Sequence, residues 1–105
     1  MENEMKALYE TVVSRKTHAE EGSYTAYLYE KGLEKILKKV GEECTEVIIA
    51  AMKEDNKNEI GDLIYHLFVM MAEKGITLDE VNEELSRRAQ KTGNLKPERR
   101  KIEKY

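Results

Sequence analysis

The sequence predicts an all-α fold, and three observations carry that prediction. The 105 residues contain one proline, Pro97. β-Branched residues nowhere alternate with polar ones over the length of a strand, and apolar residues recur at three- and four-residue spacing through most of the chain. This length supports one domain, assigned to residues 1–93, with a basic C-terminal tail over 94–105.

The first predicted helix covers residues 3–15, where Met5, Leu8, Tyr9 and Val12 repeat at helical spacing. Thr17 to Gly22 reads as a loop. Ser23 then caps a short helical stretch through Tyr24, Tyr27, Leu28 and Tyr29 that stops before Gly32. From residue 33 to about 53, Leu33, Ile36, Leu37, Val40, Cys44, Val47, Ile48 and Ala51 form one continuous apolar face, which predicts a long helix and places Cys44 in the core as an inert thiol. Gly41 interrupts this helix at a cost of roughly 1 kcal/mol against alanine. It is either a tolerated defect or a point of close approach by a neighbour. Asp55 to Asn58 form a turn, and the next helix runs from about 57 to Lys74, with Gly75 as its left-handed terminator. Thr77 and Glu80 have capping-box spacing and open a last helix through Val81, Leu85 and Ala89, fading near Gly93.

The two long helices, joined by so short a connection, are expected to form an antiparallel hairpin. Residues 60–72 carry apolar side chains on more than one face, too wide a surface for a single neighbour to cover. A chain this short also buries only about two-thirds of the surface its unfolded state exposes. The expected architecture is therefore an antiparallel helical hairpin completed into a helical bundle by dimerisation, most simply a two-fold homodimer.

Composition excludes several function classes. One cysteine rules out a disulfide scaffold and leaves a thiolate zinc or iron–sulfur site unsupported, in keeping with a reducing, cytoplasmic setting. No apolar run approaches a membrane span, so no membrane partner is expected. The formal net charge of −3 is unevenly spread: residues 1–84 hold ten basic and nineteen acidic side chains, residues 85–105 eight and two. An acidic body repels a phosphate backbone, and no nucleic-acid partner is expected.

The two long helices each hold carboxylates three residues apart. Glu42-Glu43-Cys44-Thr45-Glu46 lies on the first, and Glu59-Ile60-Gly61-Asp62 on the second. At 100° per residue, Glu43 and Glu46 flank one edge of their helix's apolar face, and Glu59 and Asp62 an edge of theirs, with His66 one turn further. Across an antiparallel hairpin the two edges can face each other at similar heights. Four converging carboxylates repel unless a cation compensates, and oxygen-only ligands without a dedicated cage favour Mg²⁺ completed by substrate phosphates. The competing reading is a set of solvated surface carboxylates paired with Lys38 and Lys39 one turn earlier; Glu80 and Glu83 show that an acidic chain produces this spacing elsewhere too. Lys35, Lys38 and Lys39 precede the glutamates on the same helix, and ammonium beside carboxylate suits a metal–phosphate substrate. His66 reads as a hydrogen-bonding support to the carboxylates rather than a ligand. The Tyr24, Tyr27 and Tyr29 cluster either stacks a nucleobase or packs the short helix. No GxxxxGK[ST] loop is present, so a P-loop enzyme is excluded.

Taken in order, Ser23-Tyr24-Thr25-Ala26-Tyr27-Leu28, the run from Glu30 through Glu43, then Glu46, and Glu59-Ile60-Gly61-Asp62-Leu63-Ile64-Tyr65-His66-Leu67 resemble the phosphoribosyl-ATP pyrophosphohydrolases of histidine biosynthesis. These sit within the all-α, MazG-like nucleotide pyrophosphohydrolases, whose signature is ExxE followed by ExxD. The resemblance covers roughly residues 5–90. It implies Mg²⁺-dependent hydrolysis of phosphoribosyl-ATP to phosphoribosyl-AMP and pyrophosphate. Glu43, Glu46, Glu59 and Asp62 would be metal ligands, Glu42 a further ligand or the base that activates water, and Ser23, Thr25, Lys35, Lys38 and Lys39 phosphate contacts. It also implies a functional link to a separate phosphoribosyl-AMP cyclohydrolase that takes the product. Two alternatives stay open: cleavage of other canonical or damaged nucleoside triphosphates, and a non-enzymatic helical dimer serving as an interaction module.

Overall fold

Helix boundaries in this chain follow from side chains that satisfy backbone groups the helices leave unpaired. The computed structural model describes residues 3–53 and 55–90, and the basic tail expected over 94–105 lies outside the described residues. Five helices and no strand occur among them: α1 (Glu4–Thr17), α2 (Tyr24–Lys31), α3 (Leu33–Ala51), α4 (Lys57–Lys74) and α5 (Leu78–Ala89). Asn3 accepts from the Lys6 amide at 3.2 Å and starts α1. Ser23 accepts from the Ala26 amide at 3.1 Å and starts α2. Between α2 and α3 the chain turns on Gly32, at φ +95°, a conformation that a side chain would strain.

The α3–α4 connection sets the register of the hairpin. The Asp55 carboxylate accepts from the Lys57 amide at 3.0 Å, and the Asn56 amide nitrogen reaches back to the Val47 carbonyl at 3.0 Å. At the far end of α4, Gly75 is left-handed, and the Ile76 amide bonds the Met71 carbonyl at 2.8 Å while the Gly75 amide bonds Ala72 at 3.2 Å. These two bonds make a Schellman stop. It turns Ile76 back onto the core. Thr77 and Glu80 complete the expected capping box, each side chain accepting from the other residue's amide, at 3.1 and 2.8 Å.

Packing centres on α4, which touches α1, α2 and α3. Phe68, Val69, Met71 and Ala72 are buried there against Val12 of α1, Leu28 of α2 and Ile36 of α3. Tyr9 meets Phe68 edge-on, centroids 5.5 Å apart. The Tyr29 hydroxyl donates to the Val12 carbonyl at 2.7 Å and joins α2 to α1. Burial pushes the Tyr29 phenol up to about 12.

The apolar face of α3 departs from expectation in one respect. Ile36 is fully buried, and Leu33, Val40 and Val47 are half-buried, but Leu37, Cys44, Ile48 and Ala51 are exposed. Cys44 is thus an exposed thiol and not a core residue. The face is wider than the strip α4 can cover, and Cys44 falls in the uncovered half. Gly41 lies there too, and a Cβ added to it would meet nothing within 4 Å. Packing inside the chain therefore does not require a glycine at that position.

Two outcomes test this description. Ile36→Ala removes a side chain with no exposed surface, and is expected to cost about 3 kcal/mol of unfolding free energy, read as a lowered urea midpoint at unchanged slope. The second concerns Tyr29, whose folded-state phenol ionises above the ordinary value of 10. Its stabilising contribution is complete below pH 10 and lost as pH rises toward 12, because only the unfolded chain ionises in that window. The stability advantage of the unsubstituted chain over Tyr29→Phe, measured by urea unfolding, is expected to shrink across that range.

Candidate functional site

The first half of α4 is where the polar chemistry gathers. Glu59, Asp62 and His66 recur there, and the adjoining stretch of α3 carries Lys39, Glu42, Glu43 and Glu46. Glu46 and Glu59 line one depression of about 360 Å³ across the hairpin, with Ile49, Ala50 and Lys53. Of the four carboxylates expected to converge, Glu46 and Glu59 line this depression together, and Glu43 and Asp62 do not line it. Asp62 and Glu42 are exposed, and Glu43 is buried at 8% exposure.

Lys39 is the cation of this edge. Its ammonium lies 3.1 Å from a Glu42 oxygen and 3.7 Å from a Glu43 oxygen. The hydrogen bond to Lys39 holds the Glu42 carboxyl below the usual carboxylate range, helped by the charges of Lys38 and Lys35. The same bond raises the Lys39 ammonium. The intrahelical pairing read from the sequence is therefore present for Lys39, while Lys38 is exposed and Lys35 half-exposed.

His66 departs from the expected rim position: it is buried, at 6% exposure. Its Nδ1 lies 2.8 Å from the Asp62 carbonyl oxygen and must carry the proton of that bond. In the neutral ring Nε2 is then an acceptor, and the Tyr24 hydroxyl, 3.1 Å away, donates to it. One chain of hydrogen bonds thus links α2 to the turn of α4 that bears Asp62. The His66 contact to Asp62 is to its backbone and not to its carboxylate.

Ser23 and Thr25 are engaged within the fold. The Ser23 hydroxyl caps α2, and the buried Thr25 hydroxyl makes a short hydrogen bond to the Tyr65 hydroxyl. Sequence reasoning passed over Tyr65, which also packs edge-on against His66, with centroids 4.8 Å apart. Its position three residues beyond Asp62 was the available signal.

No group of three or more His, Cys, Asp or Glu side chains converges tightly enough to hold a metal among the described residues. The donor chemistry nevertheless suits one. Glu43, Glu46, Glu59 and Asp62 offer only oxygen, the set a hard divalent cation takes. Glu46 and Glu59 already share a depression, and glutamate side chains have the rotatable bonds to reach inward.

Comparison with known proteins places the chain in a family. Residues 5–89 match the family model described as phosphoribosyl-ATP pyrophosphohydrolase. The chain is 53% identical over 102 residues to a phosphoribosyl-ATP pyrophosphatase of Clostridium novyi, covering 94% of this chain and 93% of that one. It is also 53% identical to the phosphoribosyl-ATP pyrophosphatase of Clostridium acetobutylicum, with the same coverage. A histidine biosynthesis bifunctional protein HisIE of Caldanaerobacter subterraneus subsp. tengcongensis is 56% identical over 91 residues, spanning 83% of this chain and 44% of that protein. The chain belongs to the phosphoribosyl-ATP pyrophosphohydrolase family.

Proposed function

We propose that this chain, a hydrolase of the family just described, cleaves the α–β phosphoanhydride of phosphoribosyl-ATP as a Mg²⁺-dependent homodimer, giving phosphoribosyl-AMP and pyrophosphate. The observation that carries the reading is the facing of Glu46 and Glu59 across the hairpin beside Lys39 and Glu43, in a chain whose relatives bear that enzyme's name over nearly their whole length. Glu43, Glu46, Glu59 and Asp62 would hold the metal, and the chemistry it would supply when bound is neutralisation of phosphate charge and acidification of water.

The chain's own groups do the rest. Lys39, with Lys35 and Lys38, binds phosphate oxygens by charge-assisted hydrogen bonds. In turning to the phosphates Lys39 gives up Glu42 and Glu43, the carboxylates it pairs with in the free chain. Glu42, freed from Lys39, then takes the proton from the attacking water, a role supported by its exposure beside the carboxylate set. Ser23 and Thr25 keep the start of α2 in place and contact phosphate where their oxygens have remaining acceptor or donor capacity. His66, through Asp62, holds the ligand-bearing turn. The product passes to a phosphoribosyl-AMP cyclohydrolase, a link supported by the bifunctional histidine-biosynthesis relative, of which this chain spans less than half.

The dimer is supported by the uncovered face of α3. Leu37, Ile48 and Met52 are 45%, 64% and 84% exposed, and with Gly41 and Cys44 they form one continuous stripe at helical spacing. A contiguous apolar stripe of this kind marks an association surface. Glycine at position 41 allows a second helix to approach closely.

Purified chain is expected to release pyrophosphate from phosphoribosyl-ATP in the presence of Mg²⁺, with little from ATP or dUTP; no turnover of the first overturns the activity. Glu43→Gln and Asp62→Asn are each expected to lower turnover at least about a hundredfold while far-UV circular dichroism stays helical, since each removes a charge from the metal set. Mg²⁺ alone should raise the melting temperature of the unsubstituted chain, and less so that of either variant. Full turnover in both variants would sink the ligand assignment.

Ile48→Glu places a charge in the exposed stripe and is expected to halve the mass measured by light scattering. A monomeric mass for the unsubstituted chain would overturn the dimer.

A further inference from the structure

We propose that Lys53 receives the phosphate of the phosphoribosyl group, the part of the substrate that ATP lacks, and so sets the preference for phosphoribosyl-ATP. This rests on the phosphohydrolase reading above, which puts Lys35, Lys38 and Lys39 on the triphosphate and leaves the remote phosphate unassigned. Phosphoribosyl-ATP differs from ATP by a second ribose with its own phosphate, carried on the base and therefore distant from the triphosphate. A site that tells the two apart needs a charge-assisted contact to that extra group, away from the cations that hold the phosphates common to both.

Lysines along α3 and the turn that follows it fall into two groups. Lys35, Lys38 and Lys39 lie ahead of Glu43, and Lys53 and Lys57 lie at the turn end. Lys57 is engaged, its ammonium 3.1 Å from an Asp55 oxygen. Lys53 is exposed and lines the depression with Glu46 and Glu59. Its ammonium nevertheless makes no ion pair among the described residues, with those two glutamates or any other carboxylate. A cation at the edge of this depression, tied to neither of its carboxylates, is available to an incoming anion.

Spacing puts the two groups on one face. Lys39, Glu43, Glu46, Ala50 and Lys53 follow one another at intervals of four, three, four and three residues, the pattern of a single stripe on an α-helix. The helix ends at Ala51, and the Lys53 amide bonds the Ala50 carbonyl at 3.0 Å, which keeps the chain turning through that position. The stripe carries a lysine at each end and the two glutamates between them, over about 20 Å at 1.5 Å per residue. Ile49, half exposed, and Ala50 line the depression between Glu46 and Lys53, an apolar floor on which a sugar ring can lie. A nucleotide with phosphates at both ends matches this order of charges: the triphosphate meets the three lysines, its scissile bond the glutamates, and the lone phosphate Lys53.

Calorimetric titration of the full chain with phosphoribosyl-AMP and with AMP, both in the presence of Mg²⁺, tests the assignment, because the two ligands differ only by the phosphoribosyl group. Lys53→Met is expected to weaken binding of phosphoribosyl-AMP about tenfold and to leave AMP and inorganic pyrophosphate within about twofold. In steady-state kinetics the same variant should raise KM for phosphoribosyl-ATP about tenfold with kcat within about twofold, the mark of lost uniform binding. Lys53→Arg keeps the charge and is expected to bind phosphoribosyl-AMP within about threefold of the unsubstituted chain. The side chain is exposed, so far-UV circular dichroism should be the same for all three proteins. Unchanged affinity of Lys53→Met for phosphoribosyl-AMP, or an equal loss for AMP, overturns the role of Lys53. A loss confined to pyrophosphate overturns it as well, by placing the lysine at the leaving end. Each of these results leaves the phosphohydrolase activity standing, whereas failure of the unsubstituted chain to turn over phosphoribosyl-ATP removes the reading on which Lys53 depends.

Discussion

The far half of α4 is apolar around most of its circumference, and the placement of α1, α2 and α3 depends on that constraint. Phe68, Val69, Met71 and Ala72 point in too many directions for one neighbour, so α1, α2 and α3 all pack on α4. The near half of the same helix carries Glu59, Asp62 and His66. One element thus holds the core at one end and the chemistry at the other. Burial at the far end is what fixes the carboxylates at the near end, since a helix is stiff over this distance.

Carboxylates outnumber cations around the near end. Glu43 is buried with a single cation 3.7 Å away, beyond direct hydrogen-bonding range, and Glu46 and Glu59 share a depression although both are acidic. Lys39 offsets part of this, but it divides itself between Glu42 and Glu43. An acidic chain that must bind a more acidic substrate gains from such an arrangement. In the proposed reaction, a cation held by the carboxylates would also invert the local charge for the phosphates.

Several helix ends were legible in the sequence because Ser23, Gly75 and the Thr77–Glu80 pair act through local backbone chemistry. The facing of Glu46 and Glu59 was legible as well, since it needs only helical periodicity and a short turn. The fate of Cys44 was not. Periodicity identifies an apolar face, and nothing in it tells which part of a wide face a single neighbour covers. The burial of His66 was hidden for a related reason. Its partners, Tyr24 forty-two residues away and the Asp62 backbone, are brought together by the crossing of α2 over α4. Tyr65 met Thr25 through that same crossing. Contacts of long sequence separation between side chains leave no local pattern.

The angular layout of α3 separates what a second copy would cover from what a substrate would reach. On an ideal helix Leu37, Cys44 and Ile48 lie within about 40° of one another, and Glu46 lies about 180° from their centre. Ile36, Val40 and Val47, the residues facing α4 in this chain, fall between the two on one side. A second copy seated on the apolar stripe therefore leaves the depression between Glu46 and Glu59 open. The four carboxylates that take the metal in the proposed reaction then come from a single hairpin, and association supports them indirectly by clamping α3 from the opposite side. In the proposed dimer, stability and chemistry would fall on different faces of one helix, which is how a chain of 105 residues would accommodate both.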